Sequence, residues 1–339
     1  MTGAPGTRNL ITDVPGLTVG QAEDPAARTG VTVLLPQGRA VAACDVRGGG
    51  PGTRETDALA PENLVEAVDA IVLAGGSVYG LAAADGVVAW LGARGRGFGL
   101  VRREGVPVSP VVPAAILYDL ANGGDKAWGE APPYARLGRT AAAAAGRDFA
   151  LGTSGAGAGA MAGALKGGTG SASWMLEDGA AVGALVCVNS QGSVVAPGGR
   201  TFWAAPFEVA GEFGGLGPAG LSAAPGDWGL WKGASAPRQN TTIACVATDA
   251  ALTPAQARRL AVMAQAGLAR AIRPAFAPFD GDVVFALATG MRPLTGADAQ
   301  LARLGAVAAD CLARAIARGV YEARAWPGTP ALAWRDLPA

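Results

Sequence analysis

What most constrains the fold is a change of apolar rhythm repeated twice in the C-terminal third. From Thr241, "TTIACVATDA" interleaves β-branched and small apolar residues and reads as a strand. "LTPAQARRLAVMAQAGLARAI" follows, with Thr253 placed to cap a helix, Pro254 at its first position and Gln256 completing a capping box. Leu260, Met263, Gly267, Leu268, Ala271 and Ile272 then recur at helical spacing. "DVVFALATG" is a second strand. "ADAQLARLGAVAADCLARAIARGV" is a second long helix, with Leu301, Leu304, Ala308, Cys311, Leu312 and Ile316 on one face. A strand-helix-strand-helix run buries its apolar faces by laying helices on a sheet, so the class is α/β.

Upstream, "DVPGLTVG" and "GVTVLLP" read as two strands joined by a polar loop, and "VAACDVRGGGPGTRETDAL" runs from a strand into a glycine-rich loop. "PENLVEAVDAIVLAGGSVYGLAAADGVVAWLGARG" predicts a short helix, an apolar strand, a glycine elbow and an alanine-rich helix. "VVPAAILYDLANG" is a strand running into polar turns, and "RLGRTAAAAAGRD" a helix. "AAVGALVCVNSQGSVV" predicts a hairpin turning at Asn189 to Gly192. Residues 211–238, "GEFGGLGPAGLSAAPGDWGLWKGASAPR", are too rich in Gly and Pro for a regular element and too long for an ordinary connection. Such a segment is disordered or functional.

Charged residues make up 16% of the 339, against about 25% in a typical soluble domain, which suggests a large buried fraction and a compact homo-oligomer. Lys plus Arg equals Asp plus Glu at 27 each, so no basic field invites nucleic acid. No apolar run is long enough to span a membrane, and the N-terminus lacks a secretory pattern, so the expected location is the cytoplasm. Cys44, Cys187, Cys245 and Cys311 are scattered without a CxxC pair. They suit buried, inert thiols better than a metal site. Neither metal nor cofactor is expected.

The chain contains no histidine, which removes Ser-His-Asp and Cys-His catalysis. "GAGAGA" from Gly155 fits a loose dinucleotide pattern, a cheap match among 52 glycines, and no acidic residue follows a clear strand at the right distance. A base that every chain owns remains: an α-amino group, with a pKa of about 7.7–8.0. Using it requires a hydroxyl or thiol residue at a chain terminus, which an internal residue becomes when the bond before it is cut. Asn240-Thr241 offers a hydroxyl residue opening a strand, after a long segment able to leave. The same threonines also suit an ordinary strand.

At this point the chain resembles a known family. "NTTIACVATDAALTPAQARRLAVMAQAGLARAIRP" with "FDGDVVFALATG" is similar to the DmpA-type aminopeptidases. That family includes L-aminopeptidase/D-esterases, β-peptidyl aminopeptidases and nylon-oligomer hydrolases. "ITDVPGLTVG", "VRGGGPGTRETDAL", "IVLAGGSVYGLAAADGV", "VVPAAILYDL" and "LKGGTGSAS" extend the likeness over almost the whole chain, in order. The resemblance implies a four-layer α-β-β-α sandwich of the N-terminal-nucleophile-hydrolase type. It also implies a single catalytic domain self-cleaved into residues 1–240 and 241–339, acting on small peptides or amides, and assembled as a tetramer of processed heterodimers. Thr241 becomes the nucleophile, and the alternatives are an ornithine-acetyltransferase-like acyl transfer or a non-catalytic binding protein.

Residue by residue, the resemblance implies roles for Lys166, Asn189, Asp280, Asp282 and Tyr118. Asn189 donates its amide to a developing oxyanion. One of Asp280 and Asp282 holds the Thr241 amine or hydroxyl while the other orients Lys166 or its partner. Lys166 keeps Thr241 deprotonated, and Tyr118 bonds the oxyanion or the substrate amine. Taken alone, Asn189 suits a hairpin turn, Asp-Gly-Asp a solvated turn, Lys166 a surface loop and Tyr118 a core strand. Gln21 and Phe276 stand where relatives often carry histidine, which points to a changed pocket wall at Phe276.

Overall fold

The structure is a computed structural model that describes residues 3–101, 103–219, 221–233, 240–329 and 331–338. Its first strands are β1 (Gly3–Ala4), β2 (Leu17–Asp24), β3 (Thr29–Pro36), β4 (Ala40–Val46) and β5 (Thr53–Arg54). Then come β6 (Ala67–Val68), β7 (Ile71–Ala74), α1 (Ala83–Gly92), β8 (Ala114–Ile116) and α2 (Tyr134–Ala143). A small hairpin, β9 (Met161–Ala162) and β10 (Leu165–Lys166), precedes β11 (Thr169–Leu176) and β12 (Ala181–Asn189). The chain closes with β13 (Thr241–Ala250), α3 (Pro254–Ala271), β14 (Val283–Arg292) and α4 (Ala297–Tyr321).

Among the described residues, one sheet has seven strands in the order β1-β11-β12-β13-β14-β4-β6, and a second has five in the order β2-β3-β7-β8-β5. Side-chain alternation along the strands generates four layers. Ala244 and Val246 of β13 and Val284 and Ala286 of β14 face α3 and α4. The intervening Ile243, Cys245, Val283 and Phe285 meet Leu34, Ile71 and Leu73 of the second sheet. Val31, Val33, Val72 and Ala74 on that sheet's far face pack on α1 and α2 through Val87, Leu91, Leu137 and Ala141. The result is the α-β-β-α sandwich. Its middle core lies between two sheets and is remote from solvent on both sides.

The expected capping box is present: Thr253 Oγ1 accepts from the Gln256 N–H, and the Gln256 side chain accepts from the Thr253 N–H at 2.9 Å. The glycine elbow also forms, with Gly76 at φ 83°, a left-handed conformation that glycine adopts without strain. Two local expectations give way to non-local pairing. Residues 61–70 form no helix, because Ala67 and Val68 pair as an edge strand with Val41 and Ala40. The hairpin at Asn189 to Gly192 is absent, because β12 already has β11 and β13 on its two sides. Ser193 beyond it bonds instead to Arg273. Of the Gly/Pro-rich connection, Gly220 and residues 234–239 lie outside the described residues. Leu230 and Lys232 dock on the body of the protein, at Ala164 and Gln191.

Candidate active site

Thr241 opens the central strand of the larger sheet and faces Asn189, the last residue of β12, across the ladder. It is only 3% exposed, and its Oγ1 donates to the carbonyl of Asn240. The hydroxyl therefore rests against the carbonyl of the peptide bond that precedes its own residue.

The Asp-Gly-Asp sequence leads into β14, which runs parallel to β13. Asp282 clips this turn to the start of β13: its Oδ1 accepts from the Thr242 N–H at 2.9 Å, and its Oδ2 from the Phe276 N–H at 3.0 Å. Between the two acids, Gly281 faces the Thr241 side chain. A Cβ there would lie 2.8 Å from Thr241 Oγ1 and 2.8 Å from the Gly50 carbonyl oxygen. The triglycine loop backs the turn, with the Gly50 N–H donating to the Asp280 carbonyl at 2.7 Å and the Gly48 N–H to that of Asp282 at 3.2 Å.

Burial dominates the electrostatics here. It raises the Asp282 carboxyl from 3.8 to about 6, against the pull of its two backbone donors. Asp280, 0% exposed, is pushed to about 8, first by burial and then by the Asp282 charge; Lys232 and the Gln191 backbone N–H pull it back. Neither carboxyl oxygen of Asp280 makes a hydrogen bond of normal geometry, and neither do the side-chain oxygen and nitrogen of buried Asn240. Buried polar atoms without such a bond are rare, and two of them belong to Asn240, the residue before Thr241.

Asn189 Oδ1 accepts from the Met161 N–H at 2.9 Å, which fixes Nδ2 as the donating end, and Nδ2 donates to the Tyr118 carbonyl at 3.0 Å. Lys166 is 2% exposed and spends its three N–H donors on the carbonyls of Gly157 (3.3 Å), Ala160 (3.0 Å) and Gly167 (2.6 Å). It cross-links the turn that carries Met161, and so acts on Asn189 at one remove rather than by a hydrogen bond to Thr241. Burial lowers its amine to about 7, opposed by the charge of Asp119. Tyr118 sits just beyond β8 and reaches Asn189 through its backbone oxygen.

A cavity of about 270 Å³ opens beside these groups, with Tyr118, Asp119, Asn122, Asn189, Trp231 and Lys232 among its lining. Thr241, Asn189, Asp280 and Asp282 are thus gathered directly, Tyr118 through its backbone, and Lys166 through a turn. Phe276 is not in the cavity wall: it packs on the helix-side core and offers the site its N–H. Gln21 ties Ala150 and Ser154 together. Cys187, Cys245 and Cys311 are buried free thiols. Burial pushes that of Cys187 to about 12.

Two ionisable residues escaped the sequence reading. Lys232 Nζ donates to the Asn189 carbonyl at 3.2 Å, and its amine is lowered to about 7 by burial, opposed by Asp280. Asp119, next to Tyr118, accepts from Thr29 Oγ1 at 2.6 Å and from the Gly76 N–H at 2.7 Å, and burial raises it to about 6. The one sequence signal for Lys232 is its place in the overlong Gly/Pro-rich connection; for Asp119 it is adjacency to Tyr118.

Comparison with known proteins places this geometry in context. The model of peptidase family S58 matches residues 9–331. An uncharacterized aminopeptidase of Mycobacterium bovis is 49% identical over 348 residues, covering 97% of this chain and 98% of the relative. A 6-aminohexanoate-oligomer endohydrolase of a Kocuria species is 29% identical over 296 residues, covering 84% of this chain and 76% of the relative. Among solved structures, a Burkholderia β-aminopeptidase superposes with a TM-score of 0.69 at 26% identity, covering 95% of this chain and 89% of the other. The L-aminopeptidase D-Ala-esterase/amidase of Ochrobactrum anthropi, described as a variant of the Ntn-hydrolase fold, gives 0.72 at 24% identity, covering 98% and 93%.

Proposed function

We propose that this chain, which belongs to peptidase family S58 and is a hydrolase of peptide or amide bonds, makes its own nucleophile by cutting between Asn240 and Thr241. The observation that carries this reading is the Thr241 hydroxyl lying against the Asn240 carbonyl, with the side-chain oxygen and nitrogen of Asn240 buried without a hydrogen bond. The hydroxyl oxygen attacks that carbonyl carbon. The C–N bond breaks, the nitrogen takes up a proton, and water hydrolyses the ester. Residues 1–240 then end in a carboxylate, and residues 241–339 begin with an amine. The Asp280 carboxyl belongs to the turn that faces Thr241 and receives the new ammonium.

In turnover, the Thr241 amine takes the hydroxyl proton as Oγ1 attacks a substrate carbonyl, then returns it to the leaving nitrogen. Its ordinary pKa of about 7.7–8.0 suits both transfers. The acyl-threonine ester is hydrolysed by water. The Nδ2 end of Asn189 stabilises the oxyanion, an interaction worth roughly 3–4 kcal/mol when well aimed. Asp282 holds the start of β13 in place, and Lys166 fixes the turn that orients Asn189. The substrate is a small peptide or oligoamide entering the cavity beside Asn189. A cytoplasmic homo-tetramer of processed heterodimers fits the low charge content; no described helix is long and apolar enough to cross a membrane.

Intact mass and a denaturing gel test the reading. The purified wild-type chain gives two fragments meeting at 240/241. Thr241→Ala gives one full-length band and no hydrolysis of amino-acid p-nitroanilides, β-peptides or aminohexanoate oligomers. A Thr241→Ala chain still cut at that bond sinks the mechanism.

A further inference from the structure

Sequence likeness directs attention to Lys166 as the amine of the site, yet its donors are consumed by three backbone carbonyls and its nearest charged partner is Asp119. A second inward-turned lysine is better placed. Lys232 is half-buried, with Nζ 3.2 Å from the Asn189 carbonyl and 3.4 Å from Asn189 Oδ1, and it lines the same cavity. Its backbone is fixed as well: the Lys232 N–H donates to the Gln191 carbonyl at 2.9 Å, and the Leu230 carbonyl accepts from the Ala164 N–H at 2.7 Å. Trp231, between them, lies edge-on to Trp228 at 4.9 Å between ring centroids. The charged groups fall into two sets. Asp280 faces Lys232 and Asp282, whereas Asp119 faces Lys126 and Lys166.

We propose that Lys232 is a positioning residue of the proposed reaction: its ammonium holds Asn189, fixing the amide, and its charge acts from there on the Asp280–Asp282 pair beside Thr241. This rests on the reading of Thr241 as a self-made nucleophile. The position of Lys232 has a structural logic. It belongs to the strap that ends at the bond to be cut, so the strap reports its own docking through a charge delivered to the site. A positive charge at this point lowers the pKa of every acid or base around it. Removing it therefore moves the acid limb of the reaction to higher pH.

Self-cutting is the assay, because it needs no substrate. Labelled chain made by cell-free synthesis is incubated across a pH series and sampled on denaturing gels. Lys232→Met is expected to cut at least tenfold more slowly near neutrality, with its acid limb displaced upward by at least about half a pH unit. Lys232→Arg, which keeps the charge, retains the wild-type limb even if its plateau rate falls. Lys166→Met slows cutting without moving the limb. A Lys232→Met chain uncut at every pH beside a cut Lys232→Arg supports the proposal equally. The proposal is overturned if Lys232→Met cuts with the wild-type rate and limb, if Met and Arg shift the limb alike, or if both remain uncut. A wild-type chain that never cuts instead removes the Thr241 reading beneath it.

Discussion

Replacing Asp280 with Asn in a chain that cannot cut itself exposes the cost of burying this carboxyl. In Thr241→Ala the acid remains in the uncut surroundings, 0% exposed and without a hydrogen bond of normal geometry. Its pKa moves from 3.8 in the unfolded chain to about 8 in the folded one. The folded state thus keeps a proton that the unfolded chain has already lost. This contribution to stability is fully present below about pH 4 and is lost as pH rises through about 8. Within the window each pH unit shifts the folding equilibrium by about tenfold, which bounds the loss at roughly 6 kcal/mol. The pull of the Lys232 charge and the push of the Asp282 charge are already contained in that pKa, so the expected loss is several kcal/mol, on the order of the bound.

The assay compares urea unfolding of Thr241→Ala with that of Thr241→Ala/Asp280→Asn, read by tryptophan fluorescence from about pH 4 to about pH 9. Asp282 and Asp119, also raised, lose stability in the same direction, whereas Lys166 and Lys232, both lowered to about 7, gain it as pH rises. Asp119 and Lys166 do not face Asp280 and cancel in the difference, which therefore reports Asp280 together with the response of Asp282 and Lys232 to its loss. The Asn variant should pull ahead progressively and level off above about pH 8. In a wild-type chain cut as proposed, the Thr241 ammonium becomes available to Asp280, and the same substitution should give a smaller gap or reverse it. Parallel curves for the two uncut chains, with no widening across the window, refute the reasoning.

Gly281→Ala places a methyl 2.8 Å from both Thr241 Oγ1 and the Gly50 carbonyl, closer than real Cβ atoms come, so something must move. Self-cutting should slow at least tenfold in a chain that still folds, as followed by timed gels and far-ultraviolet circular dichroism. Asn189→Ala removes the donor opposite Thr241, and kcat should fall by on the order of 10²–10³ with little change in KM. A fall of less than tenfold removes Asn189 from the oxyanion role.

The legible part of the fold is what neighbours in sequence determine. Thr253, Pro254 and Gln256 specify the start of α3 within one turn, and the two strand-helix units announce the layering. The failures share one cause. "PENLVEAVDA" looks helical locally, but the backbone of Val68 and Ala67 is claimed by β4, and Asp69 bonds to Val111. Asn189 to Gly192 looks like a hairpin turn, but the strand before it is enclosed on both sides and its end is matched to Thr241. Family likeness reached Asp280 and Asp282 through their motif. Lys232 lies in a stretch without period, and its partner Asn189 is 43 residues away in sequence, so nothing short-range marks it.

The absence of histidine then has a physical answer in the fold itself. Imidazole is prized because it titrates near neutrality without help. Here the space beside and between two sheets removes water from ordinary acids and amines until they do the same. Burial brings Lys166 and Lys232 down to about 7, and raises Asp119 and Asp282 to about 6 and Asp280 to about 8. Each shift opposes the charged form and burial is the first cause of every one; the Asp282 charge adds to the rise of Asp280, and the other neighbours trim the result. Such a site is sensitive to anything that admits water. A cavity-opening change in the middle core should disturb several titrations together, whereas losing one charged partner should disturb only the groups facing it. That contrast separates a site tuned by burial from one tuned by pairs. It also explains how a four-layer sandwich, unlike a fold with a single sheet face in solvent, can hold lysine and aspartate groups that titrate near neutrality.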